Sequence, residues 1–143
     1  MAGCCDAMIV VSNGFSKFHI ATAAARAAAA GRLERFITGA YPTPLVRNLA
    51  HLSGTAGQRK LGRLLARRED IPDDRVVSLW RSEMYDILAR LRGSPSLDTV
   101  AAGFAHYARH AVPVVKQAAE RGARLYHVRA GFGGPSKIGR AHV

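Results

Sequence analysis

The first forty residues read as a strand, a loop, a helix and a second strand, and this order limits the fold more than any other feature. Residues 7–11 (Ala-Met-Ile-Val-Val) form a continuous apolar run, which is typical of a strand buried on both faces. An alanine-rich helix is predicted from Phe18 to Arg32, with Gly31 as its C-cap. The next strand is predicted over 33–40. Since the connection is too long for a hairpin, it predicts a parallel βαβ unit.

The remainder of the chain continues this alternation. We expect, in chain order, helices over 45–52 and 58–68, a strand over 75–80, helices over 83–92 and 97–122, and a strand over 124–128. Ser96 is the predicted N-cap of the last helix, which Pro113 is expected to kink or break. The pattern predicts an α/β fold, with a Rossmann-like, mainly parallel sheet flanked by helices.

The predicted helix over 83–92 is amphipathic. Its apolar residues fall on one face: Met84, Ile87, Leu88 and Leu91.

The charge of the chain is strongly positive, with 21 Lys and Arg against 10 Asp and Glu in 143 residues. Such an excess suits nucleic acid, an anionic membrane surface or phosphorylated ligands, but solvated arginine-rich helices would give the same balance. The densest basic stretch is Arg59, Lys60, Arg63, Arg67 and Arg68. Because Cys4 and Cys5 are adjacent, we expect neither a disulfide nor a C-x-x-C site. We therefore expect a reducing, cytoplasmic location, with membrane association left open.

Ligands of open parallel sheets sit beyond the carboxyl ends of the strands, and this rule selects four loops, over residues 12–19, 39–44, 80–83 and 129–134. Two of them carry the stronger candidate residues, and the first of these is the loop after the first strand. Its candidate substrate-binding residues are Asn13, Gly14, Phe15 and Lys17. Gly14 permits a positive φ or close approach of a ligand, and the following helix N-terminus favours an anion or a sugar hydroxyl. The alternative is a plain βα turn in which Ser16 is the N-cap.

The loop after the last strand is the second candidate, and its substrate-binding residues are Arg129 and Gly131. The planar guanidinium of Arg129 suits phosphate or carboxylate, and three glycines within residues 131–134 free the backbone. The alternative is a flexible turn with an arginine that faces solvent.

Other ionisable residues give weaker signals. His106 and His110 share a helix face but lack the H-E-x-x-H glutamate, so we expect no metal site. Glu83 is the acid nearest the predicted binding edge, although a structural glutamate near a helix N-terminus is the favoured interpretation. We assign no catalytic residue and expect no resident cofactor.

Four segments together resemble the amino-terminal half of bacterial family 4 glycosyltransferases, two-domain enzymes of GT-B architecture: residues 11–19, 36–42, 79–83 and 126–134. The resemblance spans about residues 7–137. It implies an incomplete acceptor-side domain over 1–137, in an enzyme that transfers a sugar from a nucleotide-sugar donor with retention of configuration. The acceptor would be a sugar or a lipid-linked molecule, with peripheral membrane contact and no nucleic acid. Where Arg129 stands, the family often has a histidine.

The resemblance also implies that a second domain holds most of the donor, including the E-x-x-x-x-x-x-E motif, which this chain does not contain. Residues 138–143 can be encoded by ATC GGA AGA GCA CAC GTC, which matches a common sequencing adapter, so we expect a non-native tail there. We accordingly expect the 143-residue chain alone to be inactive. The alternative function is a small basic α/β protein that binds nucleic acid or anionic surfaces.

Overall fold

The computed structural model describes residues 7–15, 19–93 and 96–129, apart from the side chain of Lys60. The strands are β1 (Met8–Gly14), β2 (Leu33–Thr38), β3 (Val76–Ser78) and β4 (Ala123–Val128). The helices are α1 (His19–Ala29), α2 (Pro44–Leu52), α3 (Gly54–Leu65), α4 (Trp80–Arg92) and α5 (Leu97–Glu120), with a short 3-10 turn at Asp73–Arg75 before β3. This order confirms the predicted alternation of strands and helices.

The strands form one parallel sheet in the order β3-β2-β1-β4. From β1 the chain builds outward through β2 to β3, then returns to place β4 on the other side of β1. The direction of winding therefore changes between β1 and β4, which makes that gap the switch point of a Rossmann-like α/β fold.

Both faces of the sheet are covered by helices. Val10 and Val11 point to opposite faces, as successive residues of a strand do. One face packs on α5 through a cluster that includes Val10, Ile37, Tyr107, Ala111 and Val115. The other packs on α1 through Val11, Phe36, Ala21 and Ala24. This arrangement explains why the β1 sequence is continuously apolar instead of alternating.

The predicted caps are confirmed. Gly31 has a φ of 69° after α1, and its N–H donates to the carbonyl of Ala28 while that of Arg32 donates to Ala27. This pair of bonds is a Schellman motif. At the start of α5, the Ser96 hydroxyl accepts from the N–H of Thr99 at 3.2 Å.

Several predicted boundaries are wrong. Strand β1 continues to Gly14, three residues past the end of the predicted apolar run at Val11, because Ser12 and Asn13 are buried with hydrogen-bonded side chains. Helix α3 begins at Gly54, so only Ser53 separates it from α2. Strand β3 is short, and Trp80 opens α4 instead of ending the strand.

Helix α5 runs through Pro113 without a break, so the proline does not end the helix. Ala111 and Val115 on either side of the proline are buried against the sheet and hold the helix in place. Since Pro113 and Arg109 are exposed, the Arg109 carbonyl that loses its helical partner can bond to water.

Helix α4 is present as predicted, and its apolar face is turned toward solvent. Ser82, Glu83 and Asp86 are buried, while the apolar face is exposed, with Ile87 at 41% and Leu91 at 77%. Burial of the polar face is possible because its side chains find partners on neighbouring elements, as described below.

Candidate ligand-binding crevice

The two predicted binding loops begin side by side at the carboxyl edge of the sheet. Strands β1 and β4 are neighbours, and the N–H of Arg129 donates to the carbonyl of Ser12 at 3.1 Å. Gly14 ends β1 with a φ of 76°, a conformation that favours glycine. The structure thus brings Gly14 and the backbone of Arg129 together at the switch point. Lys17, Gly131 and the rest of the loop through residue 134 lie outside the described residues, as does Ser16.

The predicted site residues Asn13 and Phe15 are buried. The amide of Asn13 donates to the hydroxyl of Thr38 at 3.5 Å, and this hydroxyl donates to the carbonyl of Gly14 at 3.4 Å. The ring of Phe15 meets that of Tyr107 edge to face, with 5.4 Å between centroids. Both side chains therefore shape and stiffen the floor of the crevice.

Tyr107 of α5 organises this floor, and sequence reasoning missed it. Its hydroxyl donates to the carbonyl of Ile37 at 3.0 Å, accepts from the N–H of Gly14 at 3.3 Å and bonds to the Ser12 hydroxyl at 3.0 Å. Burial raises the pKa of the Tyr107 phenol above its ordinary value, so the group stays neutral and keeps its proton for donation. The only sequence signal is a tyrosine on a helix face that otherwise carries small and aliphatic residues.

Glu83 anchors the neighbouring edge of the sheet. Its carboxylate accepts from the N–H of Ala40 at 2.7 Å and from one guanidinium nitrogen of Arg67 at 2.7 and 2.8 Å. The same nitrogen lies 3.2 Å from the Ala40 carbonyl. Glu83 therefore joins α4 to the end of α3 and to the loop after β2. This geometry fits the structural role that the sequence favoured for Glu83. Because Arg67 is paired with Glu83, it does not belong to a freely solvated basic stretch.

Gly39 provides the room that the Glu83 carboxylate occupies. A Cβ at this position would collide with Oε2 of Glu83 and lie 3.1 Å from the Phe15 ring. We expect Gly39→Ala to lower the free energy of unfolding by about 1–3 kcal/mol, because a carboxylate fixed by Arg67 and Ala40 cannot move aside freely. Urea denaturation measures this effect.

Gly62→Ala is the matched control, since nothing lies within 4 Å of a Cβ there. Because residue 62 lies in the interior of α3, where alanine is favoured over glycine, this substitution should raise the free energy of unfolding by up to about 1 kcal/mol. A similar response of the two variants would contradict the role given to the space at Gly39.

A stacked aromatic group lies where α4 meets α5. The His106 ring stacks on Tyr85 and on His110, with 4.4 Å between centroids in each pair, and its Nδ1 lies 3.1 Å from the hydroxyl of buried Ser82. The Nδ1–H of His110 donates to the His106 carbonyl at 2.8 Å. Over the part of the chain that the structure describes, no three His, Cys, Asp or Glu residues are grouped as metal ligands.

Burial, with the nearby charges of His110 and Arg109, lowers the pKa of His106 below its ordinary value of 6.5. The unfolded chain therefore binds a proton at a higher pH than the folded one does. We expect stability to fall as the pH drops through about 6.5 toward the folded pKa, and to level off below it.

Urea midpoints measured between about pH 7.5 and about pH 5.5 test this expectation. His106→Gln should flatten the profile, whereas a variant as pH-sensitive as the wild type would show that another group titrates.

Among the described residues, no helix combines the length and the apolar character that crossing a bilayer requires.

Comparisons with protein-family models, curated proteins and solved structures find no match for this chain. The α/β fold with its parallel sheet rests on the structure itself. The resemblance to family 4 glycosyltransferases stays a prediction, and so does each role that it implies.

Proposed function

We propose that the chain is the acceptor-side, Rossmann-like half of a retaining glycosyltransferase of GT-B architecture. The observation that carries this proposal is the pairing of β1 with β4, which places the Arg129 backbone beside Ser12, two residues before Gly14, at the switch point where open α/β sheets bind ligands. Gly14 and Arg129 both lie in segments on which the family resemblance rests. A cytoplasmic location belongs to the same proposal.

In this proposal the crevice residues have two roles: some form its floor and others bind the acceptor at its rim. Gly14 is buried at the end of β1, and because it has no side chain it leaves room above the floor for the ring of an acceptor sugar. Tyr107 and Asn13 hold that backbone rigid through buried hydrogen bonds. Arg129 supplies a cation for a phosphate or carboxylate on the acceptor. Most contacts to the nucleotide-sugar donor would come from a second domain.

An NMR titration of the chain with simple methyl glycosides tests the acceptor role. We expect shifts of the Gly14, Gly39 and Arg129 amides. A charged sugar such as methyl glucuronide should bind about tenfold more weakly to Arg129→Ala, since a charge-assisted hydrogen bond is lost. Arg124→Ala is the control, because Arg124 is exposed on the same strand but away from its carboxyl end. Shifts that avoid these three amides, or equal losses in both variants, would contradict the proposal.

A second candidate function, binding to an anionic lipid surface, is favoured by α4. Its outward face carries Trp80, Met84, Ile87, Leu88 and Leu91, all at least 41% exposed. Arg81, Arg90 and Arg92 are exposed on the same helix. An apolar stripe bordered by cations matches the boundary between acyl chains and anionic headgroups. The net charge of +11 opposes pairing of this face with a second copy.

Sedimentation with phosphatidylglycerol vesicles tests this second function. We expect Leu91→Ser to weaken binding about tenfold, as loss of one buried leucine predicts. Leu97→Ser should have little effect, because Leu97 is even more exposed than Leu91 but lies on α5. The chain could instead fail to bind vesicles and bind duplex DNA with an affinity that Leu91→Ser leaves unchanged. That result would identify nucleic acid, and not a lipid surface, as the partner.

A further inference from the structure

A pocket of about 350 Å³ opens between α2 and α3, and its lining differs from that of the crevice. It is lined by Arg47, Ala50 and His51 of α2, by Gln58 and Leu65 of α3, and by Arg68 just beyond α3. None of these residues follows β1 or β4. We propose that this pocket binds a phosphate monoester with a small organic body.

The first reason is a pre-ordered arginine. Arg47 donates to the carbonyl of Pro42 at 3.0 Å and to both carboxylate oxygens of Asp73 at 3.1 and 2.8 Å. These bonds fix the plane of the guanidinium and leave further N–H donors on the group for a ligand. A fixed planar fork loses little side-chain entropy when it binds an oxyanion.

The second reason is an excess of positive charge. Asp73 is one anion beside two arginines, and its pKa is lowered by the hydrogen bond from Arg47 and by the nearby charge of Arg68. In the part of the chain that the structure describes, the exposed Arg68 side chain has no hydrogen bond or ion pair. The pocket therefore keeps a net positive charge.

The third reason is the composition of the walls. Ala50 and Leu65 supply apolar surface, while Gln58 and His51 supply donors and acceptors for hydroxyl groups. The volume lies at the lower end of the roughly 300–1,000 Å³ found for ligand pockets, which suits a small molecule. A phosphate monoester carries a charge of about −1.5 to −2 at neutral pH, so it uses the second cation better than a monocarboxylate does.

Calorimetry at physiological ionic strength tests the pocket with two phosphate probes, glycerol 3-phosphate in solution and vesicles that contain phosphatidate. We expect at least one probe to bind, and Arg68→Gln to weaken that binding about tenfold, as loss of a charge-assisted hydrogen bond predicts. Arg63→Gln should change little, because Arg63 is an exposed arginine of α3 outside the pocket. If the binding of glycerol 3-phosphate depends on Arg68, the natural ligand is a free metabolite. If the binding of phosphatidate vesicles depends on Arg68, the natural ligand is a lipid headgroup.

Three results would overturn the inference. The first is that neither probe binds. The second is that glycerate, which offers a carboxylate on a similar body, binds as tightly as glycerol 3-phosphate. The third is that Arg63→Gln weakens binding as much as Arg68→Gln does, which would indicate diffuse surface charge. A thermal melt of each variant confirms that it is folded. Since the crevice contributes no residue to this pocket, a negative result for the pocket leaves the proposed acceptor role untouched, and the reverse also holds.

Discussion

Tyr107→Phe should lower the free energy of unfolding by about 2 kcal/mol, although it removes a single oxygen atom. The loss is large because the Gly14 N–H and the Ile37 carbonyl both bond to this hydroxyl inside the protein, where water cannot replace it. Tyr107→Ala should cost about 3–5 kcal/mol, since it also leaves a cavity beneath the sheet. Urea denaturation followed by circular dichroism measures both changes.

Tyr85→Phe is the control for this prediction. The Tyr85 ring stacks on His106, but its side chain is 43% exposed, so removal of the hydroxyl should change stability by at most about 0.5 kcal/mol. Amide exchange gives a second readout, because the Gly14 N–H should exchange faster in Tyr107→Phe. Equal stability of the two phenylalanine variants, with unchanged exchange at Gly14, would show that the Tyr107 hydroxyl does not hold the crevice floor.

Arg67→Met should lower the free energy of unfolding by about 3 kcal/mol, because it leaves the Glu83 carboxylate buried without its cation. The side chain of Glu83 is only 8% exposed, and its one other described partner is the N–H of Ala40. Arg63→Met removes an exposed arginine from α3, the helix that ends just before Arg67, and should cost no more than about 0.5 kcal/mol.

A double-mutant cycle isolates the pair itself. In Arg67→Met with Glu83→Leu no unpaired charge remains, so the double variant should be more stable than the sum of the single losses predicts. We expect a coupling of about 1–3 kcal/mol from urea denaturation. Additive losses would mean that Arg67 and Glu83 stabilise the protein independently, and that the described ion pair is not the link between α3 and α4.

Long-range side-chain contacts are the part of the candidate site that the sequence did not reveal. Tyr107 reaches Gly14 across 93 positions of the chain, and Glu83 meets Arg67 at the end of a different helix. No local pattern marks either residue, because a lone helical tyrosine and a glutamate near a helix N-terminus have ordinary local explanations. The two candidate binding loops could be predicted because glycine and arginine at strand ends carry a local signal.

The orientation of α4 shows the same limit. Its period of apolar residues predicted the helix, since the spacing of side chains on a helix is a local property. Which face turns inward depends on the neighbouring elements: Ser82 meets His106 of α5, and Asp86 lies against Gly103 of α5. Asp86 also pairs with Arg90 of α4 itself. Partners for the polar groups made it possible to bury them, and the apolar stripe was left outside.

The sequence by itself determined the order of strands and helices, the parallel sheet and the caps at Gly31 and Ser96. These follow from backbone preferences and side-chain periodicity, which act over a few residues. Only the tertiary structure decided that β1 runs on to Gly14, that Asn13 and Phe15 are buried, and that a pocket with two arginines opens between α2 and α3. Burial and pairing depend on which distant elements meet, and this is fixed when the sheet and its helices pack together.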